Sequence, residues 1–306
     1  MINPSETIKY YFDCLKEAGE QIDFDVYEAE KGQCSQKYNF DHRNFDGISA
    51  FAQISRDKKY NIVFPKLKQL PPPPFYLRMT YFLHWWTVAQ FKRVPKTNKR
   101  KATHPVFVWR QRRLLISQKN DRKFFAKILL ALHQSLSINQ QPTLWMLPVA
   151  LYQDHEMNKQ MPPSNQVSFL DLKVTKNKSY EDLNQEIKKG LEKGYQWGTI
   201  YSLHVAQLLG KKLFIKLFPF FSSRLQRTGT LSNMGTWSFP EFSSDKGLVA
   251  RSVVVEMNPI SANFMIINDI LNLCMNFHPS YGMTEEEGQQ LIATWEENLF
   301  KLLTNE

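Results

Sequence analysis

The stretch that decides the fold is YNFDHRNFDGIS, Tyr38–Ser49, in which a histidine stands four residues before an Asp-Gly pair. Upstream of the histidine, residues 36–40 predict a short strand, and ISAFAQI after Gly47 predicts the start of a helix. The motif therefore lies at a predicted strand-to-helix turn. Such a turn can carry chemistry, or it can be a polar surface turn that happens to contain a histidine.

Each residue of this HxxxDG pattern suits acyl transfer. The imidazole of His42 can remove a proton from a hydroxyl, thiol or amine as that group attacks a thioester carbonyl. Asp46 can fix the local backbone and bind an arginine, and Gly47 lets the chain leave the strand without a side chain that blocks the site. A pattern with three fixed identities recurs by chance, so this motif alone does not decide between chemistry and a surface turn.

A second motif, TGTLSNMGTW at Thr228–Trp237, changes the interpretation. With it the sequence resembles the CoA-dependent acyltransferase superfamily, which includes chloramphenicol acetyltransferase, the dihydrolipoyl acyltransferases, the condensation domains of peptide synthetases and the wax ester synthases. HRNFDG is similar to the active-site motif of that superfamily, and GTLSNMG is similar to its Ser-Asn-hydrophobe-Gly segment. The resemblance covers most of residues 36–304 and is specific at these two motifs.

The resemblance implies an α/β fold, a chloramphenicol-acetyltransferase-like two-lobed sandwich of mixed sheets flanked by helices. Predicted strands and helices also alternate along the second part of the chain, which independently favours an α/β sandwich. Only about forty residues precede the first motif, so we expect a truncated first lobe. We predict a partial N-terminal lobe over residues 1–104 and an acyltransferase-like C-terminal lobe over residues 105–306.

The resemblance also implies a direct transfer without a covalent enzyme intermediate, in which an activated nucleophile attacks the thioester. A developing oxyanion needs preorganised donors, and the second motif supplies hydroxyl and amide groups for it. The expected catalytic residues are His42, Asp46, Ser232 and Asn233. The expected substrate-binding residues are Asp41, Gly47, Gly235 and Trp237, although Trp237 is equally compatible with a packing role and with the lining of an acyl tunnel. No metal or cofactor is expected, and acyl-CoA or an acyl carrier protein is the co-substrate.

One departure from the superfamily pattern lies inside the first motif. The superfamily usually has two adjacent histidines, whereas this chain has Asp41 in the first place and reads DHxxxDG. The second histidine is the base in the superfamily, so His42 is still able to act. A catalytically inactive protein of the same fold, which binds an acyl chain, a membrane or a partner protein, is the alternative function.

The net charge of +10 belongs to one segment of the chain. The stretch Lys58–Asn120 contains 15 Lys and Arg and no Asp or Glu, so the remainder has 24 basic and 29 acidic residues, a balance of −5. Such a segment suits the phosphates of CoA, an acidic carrier protein or anionic lipid headgroups. Nucleic acid is not expected, because the aromatic residues precede the charges rather than alternate with them.

The apolar and aromatic run Phe75–Phe91 is followed directly by six basic residues that end at Lys101. A core helix, a subunit interface in an oligomer and a membrane-bound segment are all compatible with the run. An apolar segment and a polybasic stretch together can hold a protein on an anionic bilayer, which would suit a lipid acceptor. The N-terminal sequence predicts no secretory signal, so we expect a cytoplasmic protein that is peripheral at the inner face of a membrane.

Overall fold

A computed structural model describes residues 3–30, 33–58, 102–136, 142–151, 165–224, 227–239, 242 and 246–304. The predicted aromatic and basic segment, Phe75–Lys101, lies outside the described residues, and so do the predictions that depend on it. In the described part, the helices are α1 Pro4–Glu17, α2 Gly47–Lys58, α3 Ile116–Lys119, α4 Phe124–Ser135, α5 Tyr180–Glu192, α6 Trp197–Leu209, α7 Lys211–Arg224 and α8 Glu285–Thr304.

The described strands form two sheets. They are β1 Asp23–Glu30, β2 Gln33–Asp41, β3 Val106–Arg113, β4 Thr143–Ala150, β5 Val167–Val174, β6 Gly229–Trp237, β7 Lys246–Arg251, β8 Ile260–Ile267 and β9 Ile270–Phe277. The larger sheet has the order β3-β9-β8-β6-β4-β5, and the smaller has the order β2-β1-β7. β6 runs parallel to both β4 and β8, while the other pairs are antiparallel. The predicted α/β class with mixed sheets is confirmed.

The smaller sheet combines two strands from the N-terminal part of the chain with one from its later part. β1 and β2 precede the first motif, whereas β7 comes from the region predicted as the C-terminal lobe and pairs along β1 from Arg251 opposite Asp25 to Lys246 opposite Glu30. The sheet therefore draws strands from both sides of the predicted boundary near residue 104. That boundary and the truncation of the first lobe stay predictions.

Two hydrophobic cores lie on either side of the strand that carries the second motif. One lies between the larger sheet and the helices α4 and α8, where the indole of Trp295 donates to the carbonyl of Ile128 at 3.1 Å. The other lies between α2, the smaller sheet and the end of β6, and includes Phe51 and Trp237. β6 contributes to both cores, so its position is fixed by packing on each side.

The sequence predicts Ser179 as the N-cap and Gly194 as the stop of one helix, and a capping box of Thr284 and Glu287 at the start of another, and both predictions are confirmed. Ser179 caps α5 by accepting from the amide of Asp182 at 3.1 Å, and Gly194, just after the helix, has the positive φ of 76° that favours glycine. At α8, the hydroxyl of Thr284 accepts from the amide of Glu287, whose carboxylate accepts from the amide of Thr284. Local hydrogen bonds within four residues of sequence made these ends predictable.

Gly229 occupies a position where β6 enters the larger sheet, and we expect its replacement by alanine to be strongly destabilising. A Cβ there would lie 2.2 Å from the carbonyl oxygen of Ile260, and backbone in a central strand pair cannot move aside. Gly229→Ala should therefore lower the free energy of unfolding by about 3 kcal/mol in urea denaturation.

A helical glycine provides the matched control. At Gly288 a Cβ would meet side chains rather than backbone, namely methyl groups of Val108 and Val106 at 3.2 and 3.4 Å and the ring of Phe277 at 3.5 Å, and alanine is favoured over glycine within a helix. Gly288→Ala should change the unfolding free energy by less than about 1 kcal/mol in either direction. Equal losses at the two positions would contradict the close backbone approach at Gly229.

Candidate active site

The two motifs meet at one cavity of about 130 Å³. From the first motif it is lined by His42, Asp46 and Gly47, and from the second by Ser232 and Asn233. Its walls are mostly apolar, with contributions from α1, β4 and the start of β5. Four residues expected to be catalytic are thus brought to a single cavity, although 186 residues separate Asp46 from Ser232 in sequence.

His42 directly follows the last residue of β2, and its ring is held between two aromatic side chains. The centroid of the Phe12 ring, from α1, lies 4.4 Å from that of the imidazole, and the centroid of Phe24, from β1, lies at 5.1 Å. The Nδ1 atom of His42 is 2.7 Å from the carbonyl oxygen of Phe45, which can only accept. Nδ1 therefore carries the proton in the neutral ring, and Nε2 carries the lone pair that a base requires.

Burial lowers the pKa of His42 from its ordinary value of 6.5 to about 4, against the smaller raising effects of the Phe45 carbonyl and the Asp41 carboxylate. The ring is accordingly neutral at pH 7 and needs no deprotonation before it can accept a proton. The unfolded chain binds a proton at this histidine near pH 6.5, whereas the folded chain does so only near pH 4. The contribution of His42 to folding stability is thus lost as the pH falls from about 6.5 to about 4.

Asp46 holds the turn between β2 and α2. Its Oδ1 accepts from the amide of Ser49 at 2.9 Å, while the Ser49 hydroxyl accepts from the Asp46 amide at 3.0 Å, so the pair caps α2. Its Oδ2 accepts from the amide of Gln166 at 3.3 Å. These contacts make Asp46 a positioning residue, in agreement with the expectation that it fixes the local backbone.

Asn165 connects the same turn to the larger sheet, although no sequence pattern predicts its role. It is 1% exposed, lines the cavity, and donates its side-chain amide to the carbonyl of His42 at 2.7 Å. Because 123 residues separate the two positions, no local pattern could have indicated the contact. Phe12 and Phe24 were missed in the same way, since each looked like an ordinary core residue of its own element.

The second motif contains a β-bulge. The register of β6 against β8 shifts between Asn233 and Thr236, and Gly235 within the shift has a φ of 90°. Asn233 is exposed, and its Oδ1 accepts from the amide of Gly235 at 2.9 Å, which leaves the NH₂ end of the same side chain as the donor. A preorganised donor beside the cavity is what an oxyanion requires.

Gly47 links the two motifs by close packing. A Cβ at this position would lie 2.1 Å from the terminal methyl of Met234, which is buried beside the turn. The absence of a side chain at Gly47 is therefore what lets the second motif approach the first. This is a different role from the open exit expected from the sequence, although Gly47 does line the cavity.

Three of the expected substrate-binding residues lie outside the cavity lining. Asp41 forms an ion pair with Arg43, whose Nε donates to both carboxylate oxygens at 2.8 and 3.0 Å, and these hydrogen bonds hold the pKa of Asp41 below its usual value. Gly235 provides the bulge. Trp237 does not line an acyl tunnel here, because it is 2% exposed, packs against Phe51 and donates from its indole to the Met234 carbonyl at 2.7 Å.

The contact between Phe12 and His42 makes a direct prediction about the pKa of the histidine. Phe12→Ala should admit water to the ring and raise the pKa of His42 from about 4 toward 6.5, because burial is the main cause of the lowering. The pKa is measured by titrating the imidazole signals by NMR, after an unfolding curve has shown that the variant, which should lose about 3 kcal/mol, remains folded.

The variant Phe12→Leu, which keeps most of the apolar volume, is the control and should leave the pKa close to that of the wild type. If Phe12→Ala titrates like the wild type, Phe12 is not what keeps water from the ring.

Comparison with solved structures places the fold among condensation-type domains. The starter condensation domain of rhizomide synthetase RzmA, a doubly substituted variant solved in complex with C8-CoA and Leu-SNAC, superposes with a TM-score of 0.55 at 13% identity, over 87% of this chain and 64% of that one. The epimerization domain from the third module of tyrocidine synthetase B gives a TM-score of 0.50 at 15% identity, over 89% and 70%.

A third similar structure is polyketide synthase associated protein 5 from Mycobacterium tuberculosis, with a TM-score of 0.50 at 14% identity, over 90% of this chain and 75% of that one. No protein-family model matches the chain, and no curated protein matches it significantly. The chain spans between about two thirds and three quarters of the length of these three structures. At this identity the likeness is one of fold, and it confirms the fold predicted from the two motifs.

Proposed function

We propose that this protein transfers an acyl group from a CoA or carrier-protein thioester to a hydroxyl or amine acceptor, with His42 as the general base. The observation that carries the proposal is the meeting of a neutral histidine and the Ser232–Asn233 pair at one cavity. A base with a free lone pair and donors for an oxyanion are the two groups that this reaction needs from a protein.

The arrangement suggests the following course of reaction. The acceptor O–H or N–H attacks the thioester carbonyl carbon, and Nε2 of His42 takes the proton. The carbonyl oxygen gains the negative charge of the tetrahedral intermediate, which the Ser232 hydroxyl and the Asn233 amide stabilise. Collapse re-forms the carbonyl and breaks the C–S bond, and the imidazolium returns its proton to the thiolate. The products are the acylated acceptor, a free thiol and the neutral histidine.

The similar structures support a thioester donor. A condensation domain solved with C8-CoA and Leu-SNAC, and another described as mediating chain release from the enacyloxin polyketide synthase, share this fold. In the described residues no helix is both long and apolar enough to cross a membrane, and membrane association through the segment Phe75–Lys101 remains a prediction.

The test is release of free thiol from a panel of acyl-CoAs and acyl carrier proteins, each offered with alcohol and amine acceptors. We expect acceptor-dependent thiol release and an acylated acceptor of the corresponding mass. Binding of the thioesters without any turnover would support the inactive, acyl-binding alternative. Absence of both binding and turnover across the panel would contradict the transferase and the acyl-binding form of the alternative.

A further inference from the structure

The described surface has an unusual concentration of exposed apolar side chains on two consecutive helices. Seven large apolar residues of the described chain are exposed, and five of them lie on α6 and α7. Val205, Leu208 and Leu209 are spaced on one face near the end of α6, and Leu213 and Leu217 are spaced on one face of α7, after the single connecting residue Gly210. We call these five side chains the apolar corner.

The two helices carry only positive charge. From Trp197 to Arg224 the sequence contains four Lys and Arg and no Asp or Glu. Lys211 pairs with Glu17 of α1 at 2.5 Å, whereas Lys212 and Lys216 are exposed on α7 beside the two leucines. A monomeric protein seldom exposes such a patch to water, so the combination of leucines and lysines indicates a partner that is both apolar and anionic.

We propose that the apolar corner docks on the surface of an anionic lipid bilayer, with its leucines in the interfacial region and Lys212 and Lys216 at the headgroups. A second copy of the chain fits less well, because an isologous contact would bring the lysines of two identical faces together. The basic segment of this chain that ends at Lys101 is no better as a partner for the apolar corner, because its charge has the same sign as that of Lys212 and Lys216. An anionic bilayer complements both features at once.

The apolar corner lies close to the cavity, with a single helix between them. α1 lies between the two: the Tyr10 hydroxyl donates to the Ala206 carbonyl of α6 at 3.3 Å, and the Tyr10 ring contacts Phe214 of α7 with centroids 6.2 Å apart. On another side of the same helix, Phe12 packs on His42. A bilayer at the corner is thus one helix away from the cavity, which suits an acyl chain or acceptor drawn from lipid. This last step, unlike the docking itself, depends on the proposed function.

The test is flotation of the full chain with phosphatidylcholine vesicles, with and without phosphatidylglycerol, at low and at high salt. The wild type should float with the anionic vesicles at low salt. Leu208→Gln/Leu209→Gln should lower the partition coefficient by roughly tenfold or more, since two exposed apolar side chains are lost. Lys212→Gln/Lys216→Gln should lower it by roughly tenfold or more on anionic vesicles only.

The matched control is Leu115→Gln/Ile116→Gln, because these are the other two exposed large apolar residues of the described chain and lie at α3. That variant should float like the wild type, and circular dichroism should show all variants folded.

Flotation that survives both the leucine and the lysine replacements would overturn the proposal and assign binding to another part of the chain. Sedimentation as a dimer that the leucine variant abolishes, without flotation, would assign the corner to a subunit interface. Neither outcome bears on thiol release from soluble thioesters, so the proposed function is tested separately.

Discussion

His42→Ala is expected to lower kcat for thiol release by roughly 10²- to 10⁴-fold while the protein remains folded. The loss follows because Nε2 holds the lone pair of the neutral ring and His42 lines the same cavity as Ser232 and Asn233, so alanine leaves no group there that could take the proton from the acceptor. Turnover of one soluble acyl-CoA with a saturating acceptor measures the effect. The KM for the thioester should change much less, since the base acts in the transition state rather than in binding.

Two further variants separate chemistry from structure in this experiment. Asn44→Ala lies in the same turn, is exposed, and should retain wild-type turnover. His42→Gln keeps a polar side chain but supplies no base, so it should be as inactive as His42→Ala. Unchanged turnover in His42→Ala would remove the general-base role. Equal loss in Asn44→Ala would show instead that the turn is sensitive to any replacement.

The same His42 variants should also change how stability depends on pH. In the wild type the free energy of unfolding falls between about pH 6.5 and pH 4, because the unfolded chain binds a proton at this histidine in that range, whereas the folded chain, in which the pKa of His42 is lowered to about 4, does not. Without the histidine, this part of the decline should be absent.

The sequence predicted the parts of the fold that depend on neighbouring residues. HRNFDG, the Ser179 cap and the Thr284–Glu287 box each use hydrogen bonds within a few positions, so pattern and structure agree. The hairpin β8–β9 was less visible, because both strands are buried almost throughout and show no alternation of apolar and polar residues that would mark one exposed face. Its signal was the pair Asn268–Asp269, which adopts the positive φ values of 47° and 72° typical of a tight hairpin turn.

The placement of Trp237 shows why the directions of the side chains in and after the second motif could not be predicted from sequence spacing alone. In a regular strand the side chains alternate, so Leu231 and Trp237 would face the same side. The bulge at Gly235 changes this alternation, and Leu231 packs in the core of the larger sheet while Trp237 packs beside α2. The sequence shows a glycine at this position, but it does not show that the bulge inserts one extra residue into β6 relative to β8. The direction of every side chain after the bulge depends on that insertion.

The largest effect on stability is expected at the buried ion pair between Arg227 and Asp171. The Nε and Nη2 atoms of Arg227 donate to the two carboxylate oxygens at 2.5 and 2.8 Å, and the side chains are 6% and 5% exposed. Burial opposes the charge on Arg227, but the charge and hydrogen bonds of Asp171 outweigh it and raise the pKa of Arg227. Arg227 lies two residues before β6 and Asp171 lies in β5, so the pair fixes where the strand of the second motif begins.

Arg227→Met should lower the free energy of unfolding by about 3 to 5 kcal/mol at pH 7, because it leaves the Asp171 carboxylate buried without its partner. The double variant Arg227→Met/Asp171→Leu removes both charges and should be far closer to wild type, since well-packed apolar residues often replace a buried pair at little cost. Urea denaturation of the wild type, the two single variants and the double variant closes a mutant cycle. A double variant that loses the sum of the two single losses would show that the residues act independently. The start of β6, and with it the position of Ser232 in the cavity that His42 also lines, would then be held by packing rather than by this pair.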